Sequence, residues 1–464
     1  MKKPELISPA GDIEKMKIAF MYGADAVYAS TPDFSMRTRE VGFTEKSLKE
    51  GINYAHKIGK KVYLTINIFP HASEIEALKQ HILRSIKLAP DAFIVADPGV
   101  LEFVKANTNI PIHLSTQANT TNQLAADFWQ KQGVKRVVLA RELSLKDIGI
   151  ISDDINCASS QTRSGIQALD SRLRGNDNKE GGNDNKEGGN DNKEGGNDNK
   201  EGGNDKVEGG NNSIELEAFV HGAMCMAYSG RCQISNYLTG RDPNKGACIQ
   251  ACRFKYKMYG LEEEFRKGEI FPLVEEEQGS YILNSKDLCM IDHIPELIEA
   301  GISSFKIEGR LKSIYYVGII TRAYRKAIDL FFEQSEKYLK NKKLFVEEIK
   351  KTSSREFTTG FYFGKPNENT NNYKTSRTKG NWGYVGLVKS YDDKSKIVKI
   401  EAKNYLPKGS EIEIVTPDQV IKHKLDKIIH KGEEVDVVHA GYEFEIAAGS
   451  VVPANSFVRM KYFR

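Results

Sequence analysis

Cysteine is scarce in this chain, with six among 464 residues, and no stretch is apolar for anything like the roughly 18 residues that a membrane-crossing helix needs. The opening MKKPELISPAGD reaches Pro4, Glu5 and Asp12 without the apolar core of a secretory signal, so a cytoplasmic protein is expected. Strong net charge is also missing. Lys and Arg number 67 against 63 Asp and Glu, a balance of +4 that neither requires nor excludes nucleic acid, because binding depends on local patches. No HExxH argues for a zinc peptidase, and no CxxxCxxC argues for radical chemistry on S-adenosylmethionine. What remains is 39% hydrophobic and 28% charged, the make-up of a soluble globular protein with room for two or three domains.

The first part of the chain repeats one rhythm, a short β-branched run followed by an amphipathic helix. ELIS precedes DIEKMKIAFMYG, ADAVYAS precedes TEKSLKEGINYAHKIG, and KVYLTIN, AFIVAD, IHLSTQ and RVVLARE each lead into a further helix. ELEAFVHG supplies a seventh strand, and SFKIEG with YYVGIITRAYRKAIDLFF an eighth unit. Eight βα units predict an α/β fold of the TIM-type (β/α)8 barrel. A doubly wound sheet fits less well, since SPAGD after the first strand lacks the GxGxxG phosphate turn.

Between the sixth and seventh units lies a seven-residue repeat, GGNDNKE, with no apolar residue. Such a segment cannot offset the entropy of ordering, so a disordered insertion is expected over 155–213, with Cys157 a bystander at its edge. The barrel would therefore occupy 1–154 and 214–340, followed by a linker over 341–380. From 381 to 464 short alternating segments such as KIVKIEAK and SEIEIVT predict a small C-terminal antiparallel β-barrel.

Four of the six cysteines crowd into MCMAYSGRCQISNYLTGRDPNKGACIQACRF: Cys225, Cys232, Cys248 and Cys252, with six, fifteen and three residues between them. In a reducing compartment such a group suggests metal ligands or redox groups rather than disulfides. A helical GACIQACRF would set Cys248 and Cys252 side by side at i and i+4. Four thiolates beyond the seventh strand suit a 4Fe-4S cluster. Zinc, which favours shorter knuckles, and plain packing of buried thiols are the alternatives. Cys289, in an apolar-periodic stretch, reads as core and as a reserve ligand.

Barrel enzymes work at the C-terminal ends of their strands. Tyr28, Asn67, Gln117, Arg141 and Arg310 fall there as candidate substrate-binding residues, and His221, Glu308 and Lys306 as candidates for moving protons. Arginines would suit an anionic substrate. Bland readings stand beside these: Asp97 before Pro98 caps a helix, Asn67 orders a turn, and Lys306 and Glu308 pair inside the barrel.

EAFVHGAMCMAYSGRCQIS resembles the signature of the U-32 peptidase family, the collagenase-like peptidases, and LISPAGDIEKMKIAFMYGADAVYAS, LSTQANTTN and SFKIEGRLKS resemble its other blocks. The likeness extends over nearly the whole chain outside the repeats. The cysteine block and C-terminal β-domain are most similar to the branch that hydroxylates tRNA. That resemblance implies formation of 5-hydroxyuridine at the wobble position, an iron–sulfur cluster, prephenate as co-substrate and the tRNA anticodon loop as partner. It places the cluster on Cys225, Cys232 and Cys248, with Cys252 or another residue as the fourth ligand. A peptidase and a zinc-stabilised tRNA-binding scaffold are the rival expectations, and an electron donor or partner subunit is a further one.

Overall fold

The computed structural model describes residues 2–31, 43–160, 213–224, 228–230, 232, 234–239, 248–253, 286–352, 355–364 and 381–462. The repeats and Cys225 lie outside the described residues. The barrel strands are β1 (Glu5–Pro9), β2 (Ala26–Ala29), β3 (Lys61–Ile66), β4 (Ala92–Val95), β5 (Ile112–Leu114), β6 (Arg136–Val138) and β7 (Glu215–Ala223). After them come β8 (Asp287–Cys289), β9 (Ser304–Ile307) and β10 (Phe357–Thr358). β1 to β7 pair in order and in parallel, and β9 pairs parallel with both β7 and β1, closing an eight-stranded barrel.

All eight expected strands form, and two unexpected ones join them. β8 runs antiparallel to the end of β7, with Cys289 opposite His221, and β10 lies parallel to β8 outside the ring. The supposed linker over 341–380 is thus partly structured: it holds the end of a helix, Ser335–Lys350, as well as β10. Likewise the helix Leu145–Ser160 runs past the expected boundary at 154.

Local chemistry starts the outer helices where the sequence pattern breaks. Asp12, Thr44, Asp97, Asn122 and Ser313 each accept a hydrogen bond from the backbone N–H three residues on, satisfying a donor the helix cannot. Asp97 is therefore a cap, with Pro98 at the first helical position. The apolar faces of these helices bury against the outward residues of the strands, among them Leu6, Val27, Leu64, Phe93 and Leu114.

The C-terminal unit is antiparallel, as the short alternating segments require. Its strands are β11 (Trp382–Asp392), β12 (Ile397–Ala402), β13 (Leu406–Pro407), β14 (Glu411–Val415), β15 (Val420–Lys424), β16 (Ile429–His430), β17 (Glu433–Glu434), β18 (Val437–Val438), β19 (Glu443–Ala447) and β20 (Phe457–Lys461). Eight of them pair in the order β15-β14-β20-β11-β12-β19-β16-β17, and β13 with β18 forms a separate ribbon. The alternate residues Val398, Ile400 and Ala402 of β12 point into the domain's own core. Against the barrel, Phe457 stacks on Tyr22 at 5.1 Å between ring centres, and the Tyr22 hydroxyl donates to the Val415 carbonyl at 2.9 Å.

Candidate active site at the mouth of the barrel

Inside a closed barrel, every second residue of each strand faces the axis. At the N-terminal end these inward positions hold charge. Arg136, 5% exposed, donates to Glu5 (2.6 Å), Glu215 (2.6 Å) and Glu217 (3.2 Å). Burial opposes its charge, but Glu217 and Glu5 outweigh that cost and hold the guanidinium above its ordinary range. Tyr63 donates its hydroxyl to both Glu5 oxygens at 2.8 and 2.9 Å, and burial followed by the Glu5 charge holds it protonated. His113 packs edge-on against Tyr63, and burial beside Arg136 and Lys306 keeps it neutral.

Glu217 carries this network up to the mouth. It is 1% exposed and accepts from Lys306 Nζ at 2.7 Å, Ser304 Oγ at 3.1 Å and Arg136. Lys306 in turn lies over the Tyr28 ring, 4.6 Å from its centre. Burial holds this lysine below its usual range, Arg136 and Arg310 act the same way, and Glu217 opposes them.

Above Lys306 opens a cavity of about 50 Å³ at the C-terminal end of the barrel. Seven of the eight candidates named from strand ends line it: Tyr28, Asn67, Gln117, Arg141, Lys306, Glu308 and Arg310. Arg310 donates to Thr65 Oγ1 at 3.1 Å. Arg141 lies 4.0 Å over the Phe219 ring and donates to the Ala223 carbonyl at 2.7 Å, so it also anchors the start of the cysteine-rich stretch. The partner of Lys306 is Glu217, one strand over, a pairing the alternation within β9 alone does not suggest.

His221 departs from expectation. It is 1% exposed, does not line the cavity, and lies among Tyr316, Tyr324 and Phe357. The pairing of β7 with β9 shifts register between Phe219 and His221, so Phe219 faces the axis and the residue two further on faces away. Burial lowers its pKa to about 3, and a neutral imidazole outside the cavity lining, whose Nδ1 has no hydrogen-bond partner among the described residues, is not placed to move a substrate proton.

Two residues of the cysteine-rich stretch, Ser229 and Gly230, lie against the mouth. The Ser229 backbone N–H donates to Glu142, and Gly230, at φ +74°, sits where a Cβ would collide with the Gln117 carbonyl. Cys232 and Cys252 are half-buried and Cys248 is exposed. The helical spacing expected for the last two does not form, because Gln250 adopts φ +57° and a 3-10 turn begins only at Ala251. The Cys248 sulfur accepts from the Gln250 N–H at 3.4 Å and the Ser235 hydroxyl at 3.8 Å. The chemistry of these thiols therefore fits a soft metal centre, although among the described residues no three Cys, His, Asp or Glu side chains are gathered into a metal site. Cys289 is buried in β8, and burial pushes its thiol up to about 12, which makes it a poor ligand.

Glu217, Arg136 and Ser115 were not singled out from the sequence. The available signal was two acids at alternate positions, Glu215 and Glu217, in an otherwise apolar strand.

Two family models cover the chain: peptidase family U32 matches residues 11–162 and 206–372, and the peptidase family U32 C-terminal domain matches 380–459. A Bacillus subtilis protein named tRNA hydroxylation protein P1 is 34% identical over 94% of this chain and 89% of its own length. The Escherichia coli tRNA hydroxylation protein P is 32% identical over 100% of this chain and 98% of its own. An E. coli 23S rRNA 5-hydroxycytidine C2501 synthase is 32% identical over 71% of this chain and 40% of its own length.

Proposed function

The chain belongs to peptidase family U32, and from that premise we propose that it is a tRNA-modifying enzyme, hydroxylating the wobble uridine at C5. Prephenate would serve as co-substrate, and a 4Fe-4S cluster would be held by Cys225, Cys232, Cys248 and Cys252. The observation that carries the reading is the cavity. It places Arg310 and Lys306 over a buried network at the mouth of the barrel, with Gly230 of the cysteine-rich stretch against Gln117 in its wall. Relatives named for tRNA hydroxylation, matching along nearly the full chain, support the choice of substrate.

In this reading Arg310 and Lys306 grip the carboxylates of the co-substrate, and Tyr28 limits how it lies. Glu217 keeps Lys306 aimed and charged against the cost of its burial. An anticodon loop offers an unstacked base that can enter the pocket. When bound, the cluster supplies redox or Lewis-acid chemistry.

The peptidase reading finds less support. Among the described residues the cavity lining contains no cysteine and no histidine, hence no Cys–His pair. The test uses protein purified without oxygen, assayed for iron and sulfide and then incubated with tRNA and prephenate. Expected are about four irons per chain, their loss in Cys232→Ala, and 5-hydroxyuridine in digested tRNA. Cleavage of a collagen-like peptide without any change in tRNA would contradict the proposal, and one zinc without sulfide would favour the scaffold.

A further inference from the structure

The cavity has two unlike walls. One is charged, with Lys306, Glu308 and Arg310 at the end of β9. The other is uncharged and made of Asn67 beyond β3 and of Ser115 and Gln117 beyond β5. These three are tied together: Asn67 Nδ2 donates to Ser115 Oγ at 3.1 Å and to Gln117 Oε1 at 3.0 Å, and the Ser115 hydroxyl also donates to Gln117 Oε1. With Gln117 in this orientation, the Asn67 amide turns its two N–H groups to Ser115 and Gln117. Turned over, it would set its oxygen against the Gln117 oxygen, acceptor facing acceptor.

With both N–H groups engaged, Asn67 has only Oδ1 to offer. That atom is buried and has no hydrogen-bond partner among the described residues, in a residue 7% exposed that lines the cavity. Buried acceptors without donors are rare and costly, so one held rigidly in a cavity wall points to a ligand that brings the donor. Gln117, whose Oε1 accepts twice, has its Nε2 amide as the remaining donor. The wall therefore offers an acceptor beside a donor, with no charge.

We infer that Asn67, held by Ser115 and Gln117, is the specificity-determining residue that reads the reacting base. Its Oδ1 accepts the N3–H of uracil, and Gln117 Nε2 donates to the neighbouring O4 carbonyl. The inference rests on the tRNA hydroxylase reading and extends it to the choice of base. Cytosine has a lone pair at N3 and an amino group at C4, so it meets this wall acceptor to acceptor and donor to donor. A base held by N3 and O4 keeps C5, two bonds from N3, uncovered. The same wall would not suit a cytidine-modifying relative, so the base preference is built into the cavity and not only into the RNA around it.

The test uses anticodon stem–loops with uridine, cytidine or N3-methyluridine at the reacting position, assayed under single-turnover conditions by nucleoside mass spectrometry. The wild type should prefer uridine over both analogues by at least about 100-fold. Asn67→Ala should lower turnover of uridine by about 10-fold or more and bring the three substrates to within a few-fold of one another. Ser115→Ala, which removes only an anchor of Asn67, should erode the preference partly while iron content and melting temperature stay unchanged. A merely structural role would depress all three substrates together. Ratios unchanged in both variants would overturn the inference while the hydroxylase reading stands. Absence of 5-hydroxyuridine with the iron-loaded wild type would overturn that reading first.

Discussion

Among the described residues one group of buried ionic side chains runs along the axis of the barrel and another lies where the barrel meets the C-terminal sheet, and the first reaches a cavity wall. At the junction Arg459 is 0% exposed and lies between Glu413 (2.6 Å) and Glu348 (2.9 Å), with Lys351 at 3.1 Å from Glu413. Beside it Arg322 donates to the Thr416 carbonyl at 2.7 Å. Each charge there faces another protein group. In the barrel the chain of contacts from Glu5 through Arg136 and Glu217 ends on Lys306, in the wall of a cavity. A buried ion pair is weak evidence for stability, because desolvation consumes most of the attraction. The junction cluster is best understood as fixing how two domains meet. The barrel cluster holds a cation where a ligand can reach it.

That contrast can be broken experimentally, beginning with the largest effect. Lys306→Met should lower tRNA hydroxylation per folded molecule by about 100-fold or more, as removal of a preorganised charge does. An active Lys306→Met would place the barrel cluster in the same structural class as the junction. Arg459→Met should do the opposite. It takes the buried guanidinium from between two carboxylates, leaving them Lys351, and should cost about 3–5 kcal/mol in denaturant titration, with turnover per folded molecule retained.

Smaller still is Gly318→Ala, at the same junction, where a Cβ would meet the Phe457 ring. Overpacking of this kind should cost about 1–3 kcal/mol and leave the uridine preference intact. His221, which belongs to neither cluster, sets the baseline for buried titration. Its folded pKa is lowered to about 3, so the unfolded chain binds a proton the folded one refuses as pH falls below about 6.5. Stability should therefore be lost toward acid between those values, by about 1.4 kcal/mol per pH unit from this residue. His221→Phe should flatten that slope.

Much of this was legible in the residues. The barrel strands announce themselves because their outward positions are apolar and the helices between them are capped by Asp, Asn, Thr or Ser. β8 and β10 were not, since three and two residues are too short for any periodicity to register. The cavity was readable as strand-end positions, and seven of those side chains do meet there. His221 was misplaced because a single register shift in β7 reverses the alternation from which its direction was inferred. Glu217 went unnoticed because its importance lies in contacts with Arg136 on β6 and Lys306 on β9, residues 81 and 89 positions away.

The most direct measurement is the nucleoside content of tRNA from a bacterial strain stripped of its own uridine hydroxylase and supplied with this chain. Wild-type protein should restore a uridine carrying one extra oxygen at the wobble position, and Lys306→Met, present at the same level, should not. Folded wild-type protein that leaves the tRNA unmodified would contradict the account.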